Sequence, residues 1–466
     1  MTLIAPDVLR RMDQPGPRYT SYPTADRFVD DFQPAGFIAA LSQRRAHASQ
    51  GLVHPLSLYV HIPFCESLCY FCACNKIVTR QRARADEYLD YLEREVALHV
   101  AHLGPGQVVS QLHLGGGTPT FLSNDQLARL MQLLRDNFRL EAGGEFSIEV
   151  DPRTVSSQRL AALAALGFNR LSFGVQDFDP AVQQAVHRVQ ATEEVFELVA
   201  AARAQGFKSI NIDLIYGLPR QTDASFARTL EQVQRLRPDR LALYAYAHLP
   251  ERFKPQRRIA QSELPAPDEK LGLLRAALAS LMGAGYVHVG MDHLALPDDA
   301  LAVAKRQGRL HRNFQGYSTQ PHCDLLGLGV SAIGRMGALF TQNARDWAEY
   351  SSCIDRGQLP IARGLSLSRD DLVRQSVIMA LMCQGEVQFE SIATAHFVDF
   401  RRYFEPELQA LVAFERDGLV EIDHGEHGGI RVTASGWYLV RAVAMVFDRY
   451  LQSGRAEGRE RFSRVV

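Results

Sequence analysis

Short β-rich runs alternate with helical segments between about residues 55 and 295, and no other feature of the sequence restricts the fold as much. Such alternation is typical of βα units that build a parallel sheet. Helical apolar spacing marks the intervening segments, for example 124–138, where Ser123 is placed as the N-cap. The β-rich runs are SLYVHIPF (57–64), SQLHLGG (110–116), EFSIEVDP (145–152), RLSFGV (170–175), SINIDLIYG (209–217) and RLALYAY (240–246).

These units predict an α/β fold, an open (β/α)6 partial TIM-like barrel over residues 55–297, with GYVHVGMDHLA (285–295) as a further strand. An N-terminal arm (1–54) precedes it, and a loop-like connecting region (298–368) is expected over the barrel mouth. Residues 369–466 predict a mostly helical, winged-helix-like C-terminal domain. Its helices are expected at 369–383, 402–416 and 437–452, and its hairpin at LVEID and GIRVTA.

Charge and hydropathy restrict the partners of the chain. The net charge of −1 indicates no global affinity for nucleic acid, and no run of about 18 apolar residues predicts a membrane span. The segment 402–416 mixes acidic and basic residues, so a cap over the barrel is favoured over a DNA-binding winged helix. We therefore expect a cytoplasmic protein, a monomer, without a nucleic-acid or membrane partner.

Four of the seven cysteines lie between Cys65 and Cys74, directly after the first strand. Cys65, Cys69 and Cys72 have the spacing C-x3-C-x2-C, which suits metal binding in a reducing compartment. Fe–S clusters are ordinarily held by four thiolates, so three would leave one iron open to a cofactor or substrate. A structural zinc loop, with Cys74 or His61 as fourth ligand, is the alternative.

Polar and glycine residues follow the later strands. Gly115, Gly116 and Gly117, with Thr118, end the second strand, where backbone groups can approach a ligand closely. Glu149 ends the third strand and suits a ribose-hydroxyl acceptor. The residues Gln176, Arg188 and Asp213 follow in later units and could reach the same mouth.

The cysteine loop and the GGTP element together resemble the radical S-adenosylmethionine (SAM) superfamily. The motifs PGPRYTSYPTA, YVHIPFC, QLHLGGGTPTFL, LSFGVQDF, NIDLIYGLPRQT and HRNFQGYSTQ resemble one branch of it, the oxygen-independent coproporphyrinogen III oxidases. The resemblance implies one [4Fe–4S] cluster on Cys65, Cys69 and Cys72. It also implies two SAM molecules: the first at Tyr59, Gly116, Glu149 and Ile333; the second at Phe71, Gly117, Thr118, Gln176, Arg188, Asp213 and Ala247.

The implied reaction converts two propionates of coproporphyrinogen III to vinyl groups, giving protoporphyrinogen IX in haem biosynthesis and consuming two SAM. A flavodoxin- or ferredoxin-like low-potential electron donor and an unnamed electron acceptor are the implied protein partners. A haem-trafficking relative of the same branch, a carrier and not an enzyme, is the alternative function.

A macrocycle with four carboxylates needs guanidinium groups and aromatic walls. Candidate wall residues are Arg18, Tyr19, Tyr22, Arg312, Asn313, Gln315 and Tyr317. Cys74 is expected in a supporting role near the substrate. His61 and His293 are weighed as proton relays against a structural, hydrogen-bonded role, which is the commoner one for such histidines.

Overall fold

The structure, a computed structural model, describes residues 6–52, 55–320, 323–425 and 427–456, together with 462 and 464. Its helices, in chain order, are α1 (Pro6–Met12), α2 (Pro34–Ala48), α3 (Ala83–Leu103), α4 (Asn124–Asn137), α5 (Ser157–Ala165), α6 (Pro180–Ala185), α7 (Thr192–Ala204), α8 (Asp223–Leu236), α9 (Pro267–Gly283), α10 (Ala300–Arg306), α11 (Trp347–Asp355), α12 (Arg369–Gln384), α13 (Phe389–His396), α14 (Phe400–Tyr403), α15 (Glu405–Arg416), α16 (Val440–Met445) and α17 (Arg449–Ala456).

The strands, again in chain order, are β1 (Leu56–Ile62), β2 (Phe64–Cys65), β3 (Ile77–Val78), β4 (Gln107–Gly116), β5 (Phe138–Val150), β6 (Arg170–Gln176), β7 (Ser209–Tyr216), β8 (Arg240–Ala245), β9 (Val287–Gly290), β10 (His293–Ala295), β11 (His311–Asn313), β12 (Gly316–Ser318), β13 (Asp324–Leu328), β14 (Ile333–Met336), β15 (Leu339–Asn343), β16 (Ile361–Ser366), β17 (Glu386–Gln388), β18 (Val420–Asp423) and β19 (Gly429–Val432). None of the helices in the described part of the chain is long and apolar enough to cross a membrane.

Two compact units divide the chain. The barrel unit comprises residues 28–285 and 322–366, and the helical unit comprises 1–27, 286–321 and 367–466. The predicted arm (1–54) is therefore split between them, because its first part belongs with the C-terminal helices while α2 packs on α3 in the barrel unit.

The barrel unit is built on the parallel strands β1, β4, β5, β6, β7 and β8, which are neighbours in that order. At least one helix lies between each consecutive pair, so the predicted (β/α)6 arrangement is confirmed. On β1 the side chains of Leu56, Leu58, Val60 and Ile62 on one face are wholly buried, and Ser57 and His61 on the other face are buried too, as expected for a parallel strand covered on both faces. Ser123 caps α4 through a capping box with Gln126, as predicted.

The stretch 298–368 is not the loop that the sequence suggested. It contains two helices, α10 and α11, and six strands. Strand β13 pairs in parallel with the free edge of β1, and β14, β15 and β16 extend the sheet in antiparallel order. These strands are only three to six residues long and carry glycines such as Gly327 and Gly334, so they show neither a long apolar run nor a clear alternation.

A buried carboxylate ties helix α3 to these late strands. Glu95 is wholly buried and accepts hydrogen bonds from the backbone N–H of Gly329 (2.7 Å), the amide of Asn343 (2.6 Å) and the hydroxyl of Tyr350 (2.7 Å). On the same helix, Tyr88 donates to the carbonyl of His61 at the end of β1 (2.6 Å). The network therefore fixes the strand that carries the cysteine loop.

The helical unit surrounds α12, which begins with a capping box at Ser368. Strands β17, β19 and β18 form an antiparallel sheet in that order, so the predicted hairpin is confirmed and gains a third strand. The last predicted helix (437–452) is broken into a short 3-10 turn, α16 and α17. The expected strand 285–295 is instead the hairpin of β9 and β10, because Met291 adopts a left-handed conformation (φ 42°).

The tyrosines of the N-terminal arm are core residues of the helical unit. Tyr19 and Tyr22 are wholly buried. The hydroxyl of Tyr19 donates to Asp448 (3.0 Å), and the carbonyl of Tyr22 accepts from Gln375 (2.6 Å). Tyr19 and Tyr22 therefore belong to the hydrophobic core of the helical unit, and their place in the wall of a substrate pocket stays a prediction.

Candidate active site

A cavity of about 540 Å³ lies at the C-terminal ends of the parallel strands of the barrel unit. This is the edge where parallel α/β folds bind ligands. The sequence-predicted residues that line it are Cys65, Cys69, Phe71, Cys72, Gly116, Gly117, Thr118, Glu149, Gln176, Arg188 and Asp213. Eleven of the fourteen cluster and SAM residues thus meet in one place, although they come from five different βα units.

The cysteine loop is held at both of its ends. At the N-terminal end of the loop, β2 pairs with β3, and Cys65 is opposite Val78 in this pairing. Further along, the backbone N–H of Tyr70 donates to Val186 (3.0 Å), and the Tyr70 ring stacks on His187 (centroids 5.0 Å apart). A short stretch that follows β6 and α6 therefore supports the loop from the opposite side.

The three thiols have different surroundings, and none is in a disulfide. The sulfur of Cys69 accepts from Arg188 (3.3 Å) and Arg153 (3.5 Å), and that of Cys65 accepts from the Thr118 hydroxyl (3.5 Å). Burial raises the pKa of the Cys65 thiol to about 11. A hydrogen bond from Cys74, together with the charge of Lys76, lowers the pKa of Cys72 to about 6.

This donor set fits an iron–sulfur cluster held by three thiolates. Cationic and hydroxyl donors surround the sulfurs, and such groups favour the thiolate form that binds metal. No group of three or more potential metal ligands converges in the described residues, because Cys72 is turned towards Cys74. A rotation of the Cys72 side chain would direct its sulfur away from Cys74.

His61 does not have a free nitrogen for zinc. Its Nε2 lies 3.0 Å from the carbonyl of Asn75 and must donate to it, so Nδ1 is the acceptor for the hydroxyl of Tyr59 (3.1 Å). Burial lowers the pKa of His61, which keeps the ring neutral. The structure thus favours the structural role for His61 over a ligand or proton-relay role.

The glycine turn after β4 packs against the end of β1. The N–H of Gly117 donates to the carbonyl of Ile62, and that of Thr118 to the carbonyl of Phe64 (both 2.8 Å). Gly116 adopts φ 113°, and a Cβ at Gly117 would stand 2.7 Å from the carbonyl oxygen of Phe64. These glycines are required by the close approach of two backbones as well as by access to the cavity.

Glu149 lies on the cavity wall next to this turn. One carboxylate oxygen accepts from the N–H of Gly116 (3.2 Å), and the other lies 3.2 Å from Nε2 of His113. Its side chain is 42% exposed, so the carboxylate keeps room for a further donor. This placement agrees with a role as a hydroxyl acceptor, with the turn and the acid held in one unit.

Two residues beside Cys69 and the predicted Arg188 were missed by the sequence reasoning, namely Asp151 and Arg153. Asp151 accepts from Arg153 (2.6 Å) and Arg188 (3.2 Å). Although burial opposes it, the charges of these two arginines hold the pKa of Asp151 below its usual range. The signal was available, since Asp151 and Arg153 follow directly after β5, the strand that carries Glu149.

Three predicted residues do not line the cavity but lie beside it. Tyr59 stacks its ring on His113 (centroids 5.9 Å apart). In the sheet register Tyr59 is opposite Gly327. A Cβ added at Gly327 would stand only 2.5 Å from the carbonyl oxygen of Ile333, so the two backbones are in close contact. The carbonyls of Ala247 and Phe71 are bridged by the buried amide of Gln256 (3.1 Å to each).

Asp213 is the acid whose ionisation is most altered within the cavity. Burial, and then the nearby charge of Glu149, raise its pKa to about 7. The Asn211 amide (2.8 Å) and the Ser172 hydroxyl (3.2 Å) both donate to its carboxylate. Near neutral pH this side chain can therefore act both as a donor and as an acceptor.

We expect Asp213→Asn to become more stable than the wild type as the pH rises through about 7. A raised pKa means that the folded chain holds the proton more tightly than the unfolded chain. The stability that it contributes is full at pH below the unfolded pKa and is lost as the pH rises through the folded pKa. Thermal unfolding across this pH range measures the difference. A constant difference between the variants would contradict the assignment, and Asp239→Asn, at the opposite end of the sheet, is the control.

The remaining candidates lie in the helical unit. Arg18 forms an ion pair with Asp292, and Arg312 donates through Nε to the carbonyl of Arg18 (3.3 Å). The Arg312 guanidinium also lies over the ring of Tyr317 (4.5 Å), and that ring packs edge-on against His293. The backbone N–H of Gln315 donates to the side-chain oxygen of Asn313 (2.9 Å).

Comparison with known proteins gives concordant results. The Radical SAM superfamily model matches residues 59–233, and the HemN C-terminal domain model matches 367–439. Proteins named oxygen-independent coproporphyrinogen III oxidase are 52% identical in Pseudomonas aeruginosa (99% of this chain, 98% of the relative) and 50% identical in Escherichia coli K12 (98% of each). A solved structure of coproporphyrinogen III oxidase (HemN) from Escherichia coli, described as a radical SAM enzyme, matches with a TM-score of 0.90 at 49% identity, over 97% of this chain and 100% of that one.

Proposed function

This chain belongs to the oxygen-independent coproporphyrinogen III oxidase family of radical SAM enzymes, and from that membership we propose its reaction. It converts two propionate side chains of coproporphyrinogen III to vinyl groups with loss of CO₂, giving protoporphyrinogen IX. The observation that carries the proposal is the single cavity in which the cysteine loop, the glycine turn and the strand-end acids meet. The haem-trafficking alternative is not favoured, because the relatives that span nearly the whole chain are named as oxidases.

Cys65, Cys69 and Cys72 would hold the [4Fe–4S] cluster, leaving one iron open for SAM. When bound, the reduced cluster and SAM supply a 5′-deoxyadenosyl radical that removes hydrogen from a propionate side chain. The chain itself positions the reactants and excludes water. Arg153 and Arg188, which donate to Cys69 and to Asp151, keep this wall of the cavity charge-balanced.

We assign the first SAM to the side of the cavity formed by β1, β4 and β5. There the glycine turn offers backbone groups to the methionyl amine and carboxylate, and Glu149 accepts from the ribose hydroxyls. Tyr59 and Ile333 lie beside the cavity on this same side. The contacts of Gly116 with Glu149 (3.2 Å) and of Tyr59 with His61 (3.1 Å) support the assignment, because they hold these groups in place without a ligand.

We assign a second SAM to the side formed by β6, β7 and the segment after β8. Gln176, Arg188 and Asp213 line the cavity there, with Phe71, Gly117 and Thr118 on the facing wall. Ala247 joins them through Gln256, which holds its carbonyl beside that of Phe71. Equilibrium dialysis of the reconstituted protein with labelled SAM tests the count, and two SAM per cluster is the expected result.

The function is tested by anaerobic assay. The reconstituted protein is supplied with dithionite, SAM and coproporphyrinogen III, and protoporphyrinogen and 5′-deoxyadenosine are measured together. Formation of both, with two 5′-deoxyadenosine for each protoporphyrinogen, supports the proposal. Formation of 5′-deoxyadenosine alone would support the radical chemistry and reject coproporphyrinogen III as the substrate. Reconstituted protein that binds no iron would favour the alternative in which the cysteine loop is a zinc site.

We further propose that Arg312 binds a carboxylate of the substrate. Arg18, whose carbonyl accepts from Arg312, and Gln315, three residues further along the chain, would assist it. Arg312 is only 3% exposed, and its Nη1 has no hydrogen-bond partner in the described part of the chain. A buried guanidinium nitrogen in this state is suited to an anionic acceptor.

Arg312→Gln is expected to raise the KM for coproporphyrinogen III about tenfold or more, since a charge-assisted hydrogen bond contributes roughly 1.5–3 kcal/mol. Arg309→Gln, an exposed neighbour, is the control. The affinity for SAM should not change in either variant. A lower melting temperature with an unchanged KM would instead make Arg312 a residue that only supports its own unit.

A further inference from the structure

Two basic segments flank the cysteine loop on the barrel unit. The first, residues 76–84, contains four basic residues and no acidic one, and the second, residues 252–258, has the same composition. The whole chain carries 51 basic and 52 acidic residues, so such a concentration is local. We call these eight residues the basic rim: Lys76, Arg80, Arg82, Arg84, Arg252, Lys254, Arg257 and Arg258.

The basic rim contacts the loop at residues adjacent to the cluster cysteines. Arg82 is ion-paired with Glu66, which follows Cys65. The guanidinium of Arg258 lies over the ring of Tyr70, the residue after Cys69 (5.2 Å to the centroid). These contacts fix both segments to the loop that carries the thiols.

Two further contacts complete the attachment. Lys76 donates to the carbonyl of Cys72 itself (3.2 Å), and Arg80 lines the same cavity as the three cysteines. The second segment is anchored from below by Gln256, which is buried and binds the carbonyls of Phe71 and Ala247. The backbone of each segment is thus well held.

Three charges of the basic rim have no carboxylate partner among the described residues. Arg80, Lys254 and Arg257 are exposed, and none of them forms an ion pair with a carboxylate in the part of the chain that the structure describes. Clustered like charges on a surface are unfavourable for the folded state and create a local positive potential. Such a potential attracts an anionic partner and accelerates its association.

We propose that the basic rim is the docking surface for an acidic electron-transfer protein that reduces the cluster. The inference rests on the proposed function, because only that function requires a low-potential electron at this loop. One electron leaves the reduced flavin or iron–sulfur centre of the partner and enters the site of Cys65, Cys69 and Cys72. The partner is oxidised by one electron and the site is reduced by one, with no further co-reactant.

The choice of partner follows from charge and position. The rim contacts the cysteine loop at Glu66, Tyr70 and Cys72, so a protein that binds the rim lies next to the thiolates. Steering by charge is suited to a transient donor that must bind, transfer an electron and leave. Binding of substrate carboxylates to the rim is the competing possibility, and the test separates the two.

The binding experiment uses the anaerobically reconstituted full-length protein and an acidic bacterial flavodoxin in its oxidised form. The variant Lys254→Glu/Arg257→Glu is compared with a matched double reversal, Arg139→Glu/Lys208→Glu, at exposed positions beside the N-terminal ends of β5 and β7. Calorimetry should show a Kd about tenfold higher for the rim variant and within about twofold of wild type for the control. Raising the ionic strength should weaken wild-type binding and abolish most of the difference.

A single substitution tests the first segment independently. Ala83 is exposed at the beginning of α3, between Arg82 and Arg84. Ala83→Glu places a negative charge within the basic rim at a helix N-terminus, where an acidic side chain is favourable, so the fold should be retained. The Kd for flavodoxin should rise by about threefold, and an unchanged Kd would remove this segment from the docking surface.

Kinetics separate the failure of this inference from the failure of the proposed function. Reduction of the cluster by reduced flavodoxin, followed by its visible absorption, should slow in the rim variant, while turnover driven by dithionite should equal that of wild type. Equal Kd and reduction rates in the rim and control variants would overturn the inference. A raised KM for coproporphyrinogen III with dithionite would also overturn it, by assigning the rim to substrate. Wild-type protein that is inactive with dithionite would instead reject the proposed function, whatever the Kd.

Discussion

Cys69→Ala is expected to lose the cluster iron and, with it, the oxidase activity. Cys69 is the most enclosed of the three loop thiols, with 8% exposure, and its sulfur accepts from both Arg153 and Arg188. Outer-shell partners of metal sites cost about 10–100-fold in affinity or activity when removed, and a direct ligand should cost more. Iron content and the visible spectrum of the reconstituted protein measure the loss without depending on turnover.

Two other cysteines make this experiment decisive. Cys353 lies in α11, where its sulfur accepts from Arg356, and Cys353→Ala should retain both iron and activity. Cys74 is hydrogen-bonded to Cys72, so Cys74→Ala tests whether it belongs to the ligand set. Retention of iron in Cys69→Ala together with its loss in Cys74→Ala would replace the predicted ligand set.

Glu95→Ala should cause the largest loss of stability of any single change in the barrel unit that we consider. The substitution leaves three buried donors, on Gly329, Asn343 and Tyr350, without their acceptor. Each unsatisfied group costs about 1–3 kcal/mol, so the free energy of unfolding should fall by roughly 3–5 kcal/mol. Chemical denaturation of Glu95→Ala and of the wild type gives this value.

The control for this prediction is on the same helix. Glu87 is exposed, and Glu87→Ala should change the unfolding free energy by less than about 0.5 kcal/mol. Glu95→Gln should fall between the two, because its amide retains one accepting oxygen and turns two N–H groups towards donors. Wild-type stability in Glu95→Ala would mean that this network contributes nothing measurable.

Sequence reasoning reaches the parts of this fold that local patterns encode. The strands β1 and β4 to β8 lie in short β-rich runs of the sequence, and Ser123 indicates the start of α4. It fails at β13, because that strand is defined by its partner, the edge of β1, and its own five residues have no distinctive pattern. It cannot decide the role of Tyr22, because an aromatic ring suits a ligand wall and a protein core equally well.

The site divides in the same way. The spacing of the three cysteines is a local pattern and can be seen directly, whereas the pair of arginines at Cys69 depends on the ends of β5 and β6 lying side by side. The assignments of Ile333 and Ala247 came from family resemblance alone. In the structure Ile333 contacts Gly327 and Ala247 contacts Gln256, and their roles at SAM stay predictions.

Strand β1 pairs with β13, which the ribosome synthesises much later, and this order has a consequence for biosynthesis. The ribosome completes the cysteine loop early, yet 234 residues separate Glu95 from Gly329, which is on the order of ten to fifty seconds of translation. During that interval the nascent barrel has an open strand edge and a carboxylate without its donors. A cluster inserted before the late strands emerge would enter an unfinished site, so cluster insertion should follow the synthesis of these strands.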